Sequence, residues 1–168
     1  FQLVLVVVET LEVEMVEVDG RFYYLRYPLA HPWDHDEEPT PVTWSELAAR
    51  GYPGAEKHPD EERAWITVAT TRPATYLGGT AVGVTPHGPR AVALRDFCVE
   101  LPLVGRAIPI IEDDYVVMPD PESSDPKAKY ATGFLKVTPG HDPNDYEIGQ
   151  RHHLPIINVM APDASISD

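Results

Sequence analysis

The chain has 168 residues, of which 27 are acidic and 13 are basic, and its net charge is -14. An apolar fraction of 43% excludes wholesale disorder, and the acidity argues against a surface that grips long nucleic acid through its phosphates. The 18 prolines predict irregular connections and few long helices, and a single cysteine, Cys98, excludes an internal disulfide. The cysteine content fits a reducing, cytoplasmic setting.

The first 27 residues predict a β-hairpin. The apolar run at 3–8 has the composition of a buried strand, and it is far shorter than the roughly 20 residues that a membrane-spanning helix needs. Period-2 alternation at 11–18 predicts a second strand, with a bulge near Met15. Asp19-Gly20 supplies a turn, and 22–27 returns as a strand. No signal peptide or membrane contact is expected, and the start at Phe1 indicates a piece of a longer protein.

Residues at about 30–62 form an acidic, proline-rich excursion. Within it, Thr43 and Glu46 have the spacing of a capping box and Gly51 stands where a helix would stop, which predicts a helix at about 43–50. His31 and His35 are four residues apart, but Pro32 disfavours the helix that would align them, so we expect no metal site.

The remainder is dominated by short strands. We predict strands at 65–71, 80–84, 134–138 and 155–160, with one or two more within 102–111. A polar loop is expected at 119–129, and a helix from Asp142 to about His153. No regular strand–helix alternation is present. The sequence therefore predicts one mainly β, barrel-like domain over 1–168 with short peripheral helices.

The first polar segment follows the strand at 65–71. Thr70, Thr71, Arg72 and Thr75 cluster around Pro73, so hydroxyls and a free amide at Thr75 could converge on one spot. The alternative is an ordinary threonine-rich strand end with a surface arginine.

The second polar segment reads KVTPGHDPND at 136–145. Period 2 places Lys136 and Thr138 on the same face of a strand, and Asp142 is placed as a helix N-cap with Asp145 at the third helical position. Capping alone could account for the two carboxylates. The whole set suits a pocket that recognises an ammonium and a hydroxyl together.

Other catalytic patterns are missing from the sequence. It contains no nucleophile elbow, no glycine-rich phosphate loop and no H-E-x-x-H. Cys98 has no histidine nearby in sequence and is interpreted as a buried structural thiol, and His152-His153 are expected to end a helix.

Four segments resemble the editing domain inserted into class I aminoacyl-tRNA synthetases, specifically that of the valine enzymes. They are EVEMVEVDGRFYYLRYPL at 12–29, TTRPATYLGGTAVGV at 70–84, LPLVGRAIPII at 101–111 and ATGFLKVTPGHDPNDYEIGQRHHLPIINV at 131–159. The last is similar to the family's most specific motif, whereas T-T-R-P is shared with the leucine enzymes. The chain departs from the family pattern at Ala74, Gly79 and Ala131.

The resemblance implies a closed six-stranded barrel that hydrolyses threonine esterified by mistake to tRNA(Val). It implies no cofactor here, because the H-I-G-H and K-M-S-K-S signatures of the catalytic domain, which uses ATP and Mg, are absent. The implied partners are the 3′ end of the aminoacylated tRNA and the other domains of the parent synthetase.

The resemblance also implies roles for site residues. Asp142 would bind the substrate ammonium, and Lys136, Thr138 and Asp145 would line the threonine hydroxyl and hold the attacking water. The remaining implied contacts involve the terminal adenosine and the pocket wall: Arg72 and Thr75 at the adenosine, Thr70 and Thr71 as wall, Tyr130 stacking on the ligand, and His141 in the turn before the helix. Two alternatives stay open, an editing domain of the leucine or isoleucine type and a binding module without chemistry.

Overall fold

A computed structural model describes residues 20–33, 37–163 and 165–166. The predicted strands at 3–8 and 11–18 and the histidine His35 lie outside the described residues. Six strands are described: β1 (Tyr23–Ala30), β2 (Trp65–Thr70), β3 (Ala81–Val84), β4 (Cys98–Leu101), β5 (Arg106–Glu112) and β6 (Phe134–Val137).

The strands form one mixed sheet in the order β2-β1-β4-β5-β3-β6. The β3–β5 pair is parallel and the other four pairs are antiparallel. The two edge strands, β2 and β6, lie against each other, so the sheet curls into a nearly closed barrel. The mainly β, six-stranded, barrel-like prediction is confirmed.

The barrel interior is filled by the inward faces of alternating strands. In β2, Ile66, Val68 and Thr70 point inward while the intervening residues are half-buried, as a period of two requires. Tyr27 and Leu29 of β1 are fully buried against this face. Burying such side chains stabilises the fold by about 1.5–3 kcal/mol each.

Four short helices surround the barrel: α1 (Trp44–Ala49), α2 (Pro89–Leu94), α3 (Pro126–Lys129) and α4 (Pro143–Arg151). The predicted N-cap of α1 is confirmed, because Thr43 Oγ1 accepts the Glu46 N–H at 3.3 Å. The longest described helix, α4, has nine residues, and no helix within 20–33, 37–163 and 165–166 has the length and apolar character needed to cross a bilayer.

The excursion at 30–62 is packed against the barrel where it is described. Trp44 and Leu47 of α1 enter the core, and the Trp44 ring stacks on His58 with centroids 3.8 Å apart. The segment is irregular because its prolines interrupt strand pairing, yet its apolar residues close one side of the core.

Several predicted elements differ from the structure. The expected strand at 155–160 is wrong: among the described residues it forms only an isolated bridge, between Met160 and Ile166. The loop at 119–129 contains α3, which Asp125 caps. The strand pair near Gly105 begins earlier than expected, at Cys98 rather than Pro102. Helix α2 is not predicted, because its N-cap is Gly88, which offers no side-chain cap of the kind that identifies α1, and six residues are too few for helical periodicity to be distinguished.

Candidate functional site

A cavity of about 510 Å³ opens where the end of β2, the end of β6 and the first turn of α4 meet. It is lined by all ten residues singled out in the sequence: Thr70, Thr71, Arg72, Thr75, Tyr130, Lys136, Thr138, His141, Asp142 and Asp145. The two polar segments, which are well separated in the chain, therefore share one hollow.

Lys136 is the central cation of this cavity. Its side chain is almost fully buried, and Nζ donates to Thr138 Oγ1 at 2.8 Å and to Thr75 Oγ1 at 3.2 Å. Burial lowers the pKa of Lys136 to about 8, against the opposing influence of Asp145 and then Asp142. Both threonine hydroxyls must accept from an ammonium here, which fixes the direction of their own protons.

Asp145 completes the buried hydrogen-bond chain. Its Oδ2 accepts from the Thr138 backbone N–H at 2.8 Å and from Thr138 Oγ1 at 3.0 Å. Burial raises the pKa of Asp145, while these donors and the Lys136 charge act in the opposite direction. Among the described residues, Oδ1 of Asp145 makes no hydrogen bond. Lys136 and Asp145, which line the same cavity, therefore offer it a donor and an acceptor.

Asp142 caps α4 and also faces the cavity. Its Oδ1 accepts from the backbone N–H groups of Asn144 at 2.9 Å and Asp145 at 3.3 Å, as the N-cap prediction required. Its other oxygen, Oδ2, lies 3.9 Å from Arg72 Nη1. Oδ1 thus caps the helix, and Oδ2 lies near the Arg72 guanidinium.

The 3-10 segment Pro73–Gly78 sets the position of Thr75. Thr70 Oγ1 accepts the Arg72 N–H at 3.1 Å, and Thr75 donates both its N–H and its hydroxyl to the Arg72 carbonyl, at 3.3 and 3.0 Å. The expected free amide at Thr75 is therefore wrong, because a 3-10 turn bonds that N–H internally. Thr75 instead acts as a buried acceptor for Lys136.

His141 connects the cavity to the segment at 155–160. Its Nε2 accepts the Val159 N–H at 3.0 Å, so the ring proton resides on Nδ1. Burial, and then the charge of Lys136, lower the pKa of His141 and favour this neutral form. Nε2 of His141 is therefore engaged by the Val159 backbone rather than free to take a proton.

The segment at 155–160 lies against two glycines that carry the site loops. A Cβ at Gly140 would come 2.5 Å from the Ile157 carbonyl oxygen, and one at Gly78 would come 2.8 Å from the same atom. This close approach explains why the segment does not pair as a strand: its backbone packs on loops instead of on a sheet edge.

Substituting Gly140 with alanine is expected to destabilise the fold by about 1–3 kcal/mol, because the Ile157 backbone must shift to admit a methyl group. Urea unfolding followed by circular dichroism measures the change. Gly88→Ala is the control for space, since its Cβ would meet nothing closer than 3.7 Å; because Gly88 is the N-cap of α2, a loss of at most about 1 kcal/mol is expected there. Equal stability of the two variants would contradict the packing.

The outer part of the cavity contains residues that the sequence reasoning missed. Phe22, Tyr115 and Lys127 line it beside Tyr130, and the rings of Phe22 and Tyr130 are 4.8 Å apart. Lone aromatic and lysine residues outside the polar motifs carry no pattern that could identify them. Ala131, one of the departures from the family pattern, does not have a positive φ; Gly133 takes that conformation at +81°.

Elsewhere, His31 and His152 have structural partners. His31 Nε2 lies 3.4 Å from Glu46 Oε2, and His152, at the C-cap of α4, lies 2.9 Å from Asp113 Oδ2. Within the described ranges, no group of three or more His, Cys, Asp or Glu side chains is arranged to hold a metal ion. Cys98 is buried and lies 3.4 Å from the Ala30 carbonyl oxygen, as expected of a structural thiol.

A scan against models of protein families finds no match. A search of curated proteins finds that the chain is 40% identical over 161 residues to the valine–tRNA ligase of Xanthomonas euvesicatoria, covering 96% of the chain and 14% of that protein. It is 43% identical over 165 residues to the valine–tRNA ligase of Cereibacter sphaeroides, covering 95% and 14%. It is 41% identical over 161 residues to that of Synechocystis, covering 96% and 13%.

The chain thus spans about one seventh of the length of the curated relatives that it matches. Both polar motifs of the cavity fall within this similarity, which extends over nearly all of the chain. The chain is therefore a homologue of one segment of the valine–tRNA ligases.

Proposed function

We propose that this chain is the editing domain of a valine–tRNA ligase and hydrolyses threonine from mischarged tRNA(Val). The proposal rests on two groups in the cavity, an N–H donor and a carboxylate oxygen, that both lack a hydrogen-bond partner among the described residues. Within the part of the chain that the structure describes, Lys136 uses two of its three N–H groups and Asp145 uses only Oδ2. A hydroxyl group can satisfy both, since it accepts one hydrogen bond and donates another.

Valine cannot satisfy these groups. A methyl group in place of the hydroxyl would leave the Lys136 donor and the Asp145 acceptor buried without a partner, at a cost of roughly 1–3 kcal/mol for each. Threonine and valine are nearly isosteric, and an apolar pocket separates them only about 10²-fold, a limit known from the valine–tRNA ligases themselves. A polar second pocket reverses the preference.

The substrate ammonium is assigned to Asp142. Its Oδ2 is free of the helix cap, and a carboxylate at that position would form a charge-assisted hydrogen bond to the ammonium. This contact is common to every aminoacyl ester, so it binds the substrate without choosing among side chains. Discrimination among substrate side chains depends on Lys136 and Asp145.

The terminal nucleotide is assigned to the outer cavity. Arg72 has a side chain that is about half exposed and lies at the rim, and Tyr130 presents an exposed ring on which an adenine could stack. The cavity is lined by three cations, Arg72, Lys127 and Lys136, against two carboxylates. It is therefore less acidic than the chain as a whole, whose net charge is -14.

The reaction requires an oriented water and a place for one proton. The water oxygen attacks the ester carbonyl carbon, the bond from that carbon to the ribose oxygen breaks, and the ribose oxygen leaves with a proton. The products are threonine and a free tRNA 3′ end. Asp142 is paired to the ammonium and His141 Nε2 is engaged by Val159, so the neighbouring ribose hydroxyl is the group to which we assign the proton transfer.

Aminoacylation belongs to the larger ligase and not to this cavity. ATP and Mg serve that reaction in the family, and the hydrolysis proposed here draws only on water. The other domains of the ligase and the tRNA 3′ end are the proposed partners. A module that binds the tRNA end without chemistry is the competing function, since capping of α4 by itself accounts for one oxygen of Asp142.

The proposed reaction is tested by its pH dependence. Catalysed hydrolysis of threonyl-tRNA(Val) should fall as pH rises through about 8, because Lys136 then loses the proton with which it binds the hydroxyl. Rates corrected for spontaneous ester hydrolysis between about pH 6 and 9.5 give the profile. Lys136→Gln should remove most of the activity, and the alkaline decline that it retains should be the one due to the substrate ammonium at Asp142, since an α-amino group titrates at about 8. A rate that rises across the whole range would contradict the assignment.

The same lowered pKa affects stability. Between about pH 8 and 10.5 the unfolded lysine keeps a proton that the folded Lys136 has released, so the contribution of this group to stability rises with pH across that window. Comparison of urea unfolding with that of Lys136→Gln isolates this contribution from that of other titrating groups.

A further inference from the structure

We infer that Arg106 is a positioning residue that holds the site turn in place for the hydrolysis, an inference that rests on the proposed function. Arg106 lies at the start of β5, on a different element from every site residue discussed above. Its Nη2 donates to the carbonyl oxygens of Leu77, at 2.9 Å, and Gly79, at 2.8 Å. These atoms belong to the C-terminal end of the 3-10 segment that carries Thr75.

The guanidinium of Arg106 makes these two hydrogen bonds without an acidic partner in the described ranges. Its Nε is buried without a hydrogen-bond partner, and within the described residues Arg106 forms no ion pair with a carboxylate. Burial lowers the pKa of Arg106. Its guanidinium lies at the C-terminal end of a helical turn, where carbonyl groups without intrahelical partners carry a negative partial charge that attracts a cation.

The clamp formed by Arg106 supports the site through a short chain of contacts. The N-terminal end of the turn is fixed by the Thr70 hydroxyl, which accepts the Arg72 N–H. The C-terminal end is fixed by Arg106 and by the Thr80 N–H bound to the Val137 carbonyl. Between these anchors, Thr75 Oγ1 lies 3.2 Å from Lys136 Nζ. Release of one anchor would let Thr75 withdraw from the ammonium.

A double-mutant cycle with Thr75 tests this inference. Arg106→Met is expected to lower kcat for hydrolysis of threonyl-tRNA(Val) about tenfold with little change in KM, because a small misplacement of site groups is costly. In a Thr75→Val background, the same substitution should cost less than about twofold, since the contact that it supports is already lost. Arg106→Lys, which keeps donors for both carbonyls, should restore most of the rate.

Arg26→Met is the control. Arg26 lies over the Trp65 ring, 4.5 Å from its centroid, and lines no part of the cavity, so kcat should be unchanged. An equal fold-loss from Arg106→Met in both backgrounds, or no loss in either, would overturn the inference, because a purely structural arginine would act independently of Thr75.

A measurement that needs no activity separates this inference from the proposed function. Titration of Lys136 followed by NMR of its ¹³Cε in the 168-residue chain should give a pKa lower in Arg106→Met than in the unsubstituted protein, as loss of a hydroxyl partner disfavours the ammonium. In Thr75→Val, adding Arg106→Met should produce no further shift. If the chain hydrolyses no ester yet shows these pKa shifts, the positioning role of Arg106 is supported and the proposed hydrolysis is contradicted. If Arg106→Met leaves the titration unchanged, the clamp fails.

Discussion

Replacing Asp142 with asparagine is expected to lower kcat/KM for threonyl-tRNA(Val) by about 10²–10³-fold while leaving the stability of the protein nearly unchanged. Asparagine is as good an N-cap as aspartate, so the Oδ1 contacts to Asn144 and Asp145 survive. The charge that would bind the substrate ammonium does not survive, and hydrogen bonds between charged groups contribute about 1.5–3 kcal/mol, more where they are desolvated. Deacylation kinetics together with urea unfolding measure the two effects.

Asp142→Ala is the companion variant. It removes the cap as well as the charge, so it should lose about 1 kcal/mol of stability in addition to the activity. If Asp142→Asn kept full activity while Asp142→Ala lost both stability and activity, the carboxylate would be a cap and nothing more. That result would overturn the assignment of the substrate ammonium to Asp142, whereas a lack of hydrolysis by the unsubstituted protein would favour the binding module.

Replacing Lys136 with methionine is expected to abolish discrimination in favour of threonine. Methionine has a similar length but no donor, so the hydroxyl of threonine would lose its contact and Thr75 and Thr138 would lose their common partner. We expect hydrolysis of threonyl-tRNA(Val) to fall about 10²–10³-fold, which corresponds to roughly 3–4 kcal/mol of lost transition-state stabilisation. The buried Asp145 would also lose its counter-charge, which raises its pKa further.

The control for this loss is Lys57→Met. Lys57 is exposed at the end of the 3-10 segment Ala55–Lys57 and does not line the cavity, so the same chemical change should leave hydrolysis within about twofold of the unsubstituted protein. If Lys136→Met were as active and as selective as Lys57→Met, the recognition of a hydroxyl by Lys136 would be wrong.

The architecture could be predicted where a local pattern reports directly on burial. The apolar run of β2 and the capping residues of α1 and α4 each identify an element, because strand propensity and helix-end hydrogen bonds depend on a few adjacent residues. The segment at 155–160 misleads the same reasoning. Its apolar residues resemble a strand, but its backbone lies against Gly78 and Gly140, a long-range contact that no local pattern records.

The candidate site was predictable to a similar depth. Lys136 and Thr138 are expected near each other because strand periodicity enforces it, and Asp142 is expected at the helix start. The partnership of Lys136 with Thr75 depends on the approach of β2 to β6, which closes the barrel and is invisible in sequence spacing. Arg106 lies in the segment 101–111 quoted for the family resemblance, but its role is equally invisible, since its hydrogen-bond partners are backbone carbonyls and leave no side-chain motif.

The fold brings two polar segments that are distant in sequence into one cavity, and a comparison of two aminoacyl esters tests the function of that cavity. Deacylation of threonyl-tRNA(Val) and of valyl-tRNA(Val) is measured in parallel. The protein is used in excess, because its net charge of -14 weakens its binding to tRNA. We expect the threonyl ester to be hydrolysed at least about 100-fold faster, since only threonine offers an oxygen to Lys136 and Asp145. Equal rates for the two esters would contradict the account.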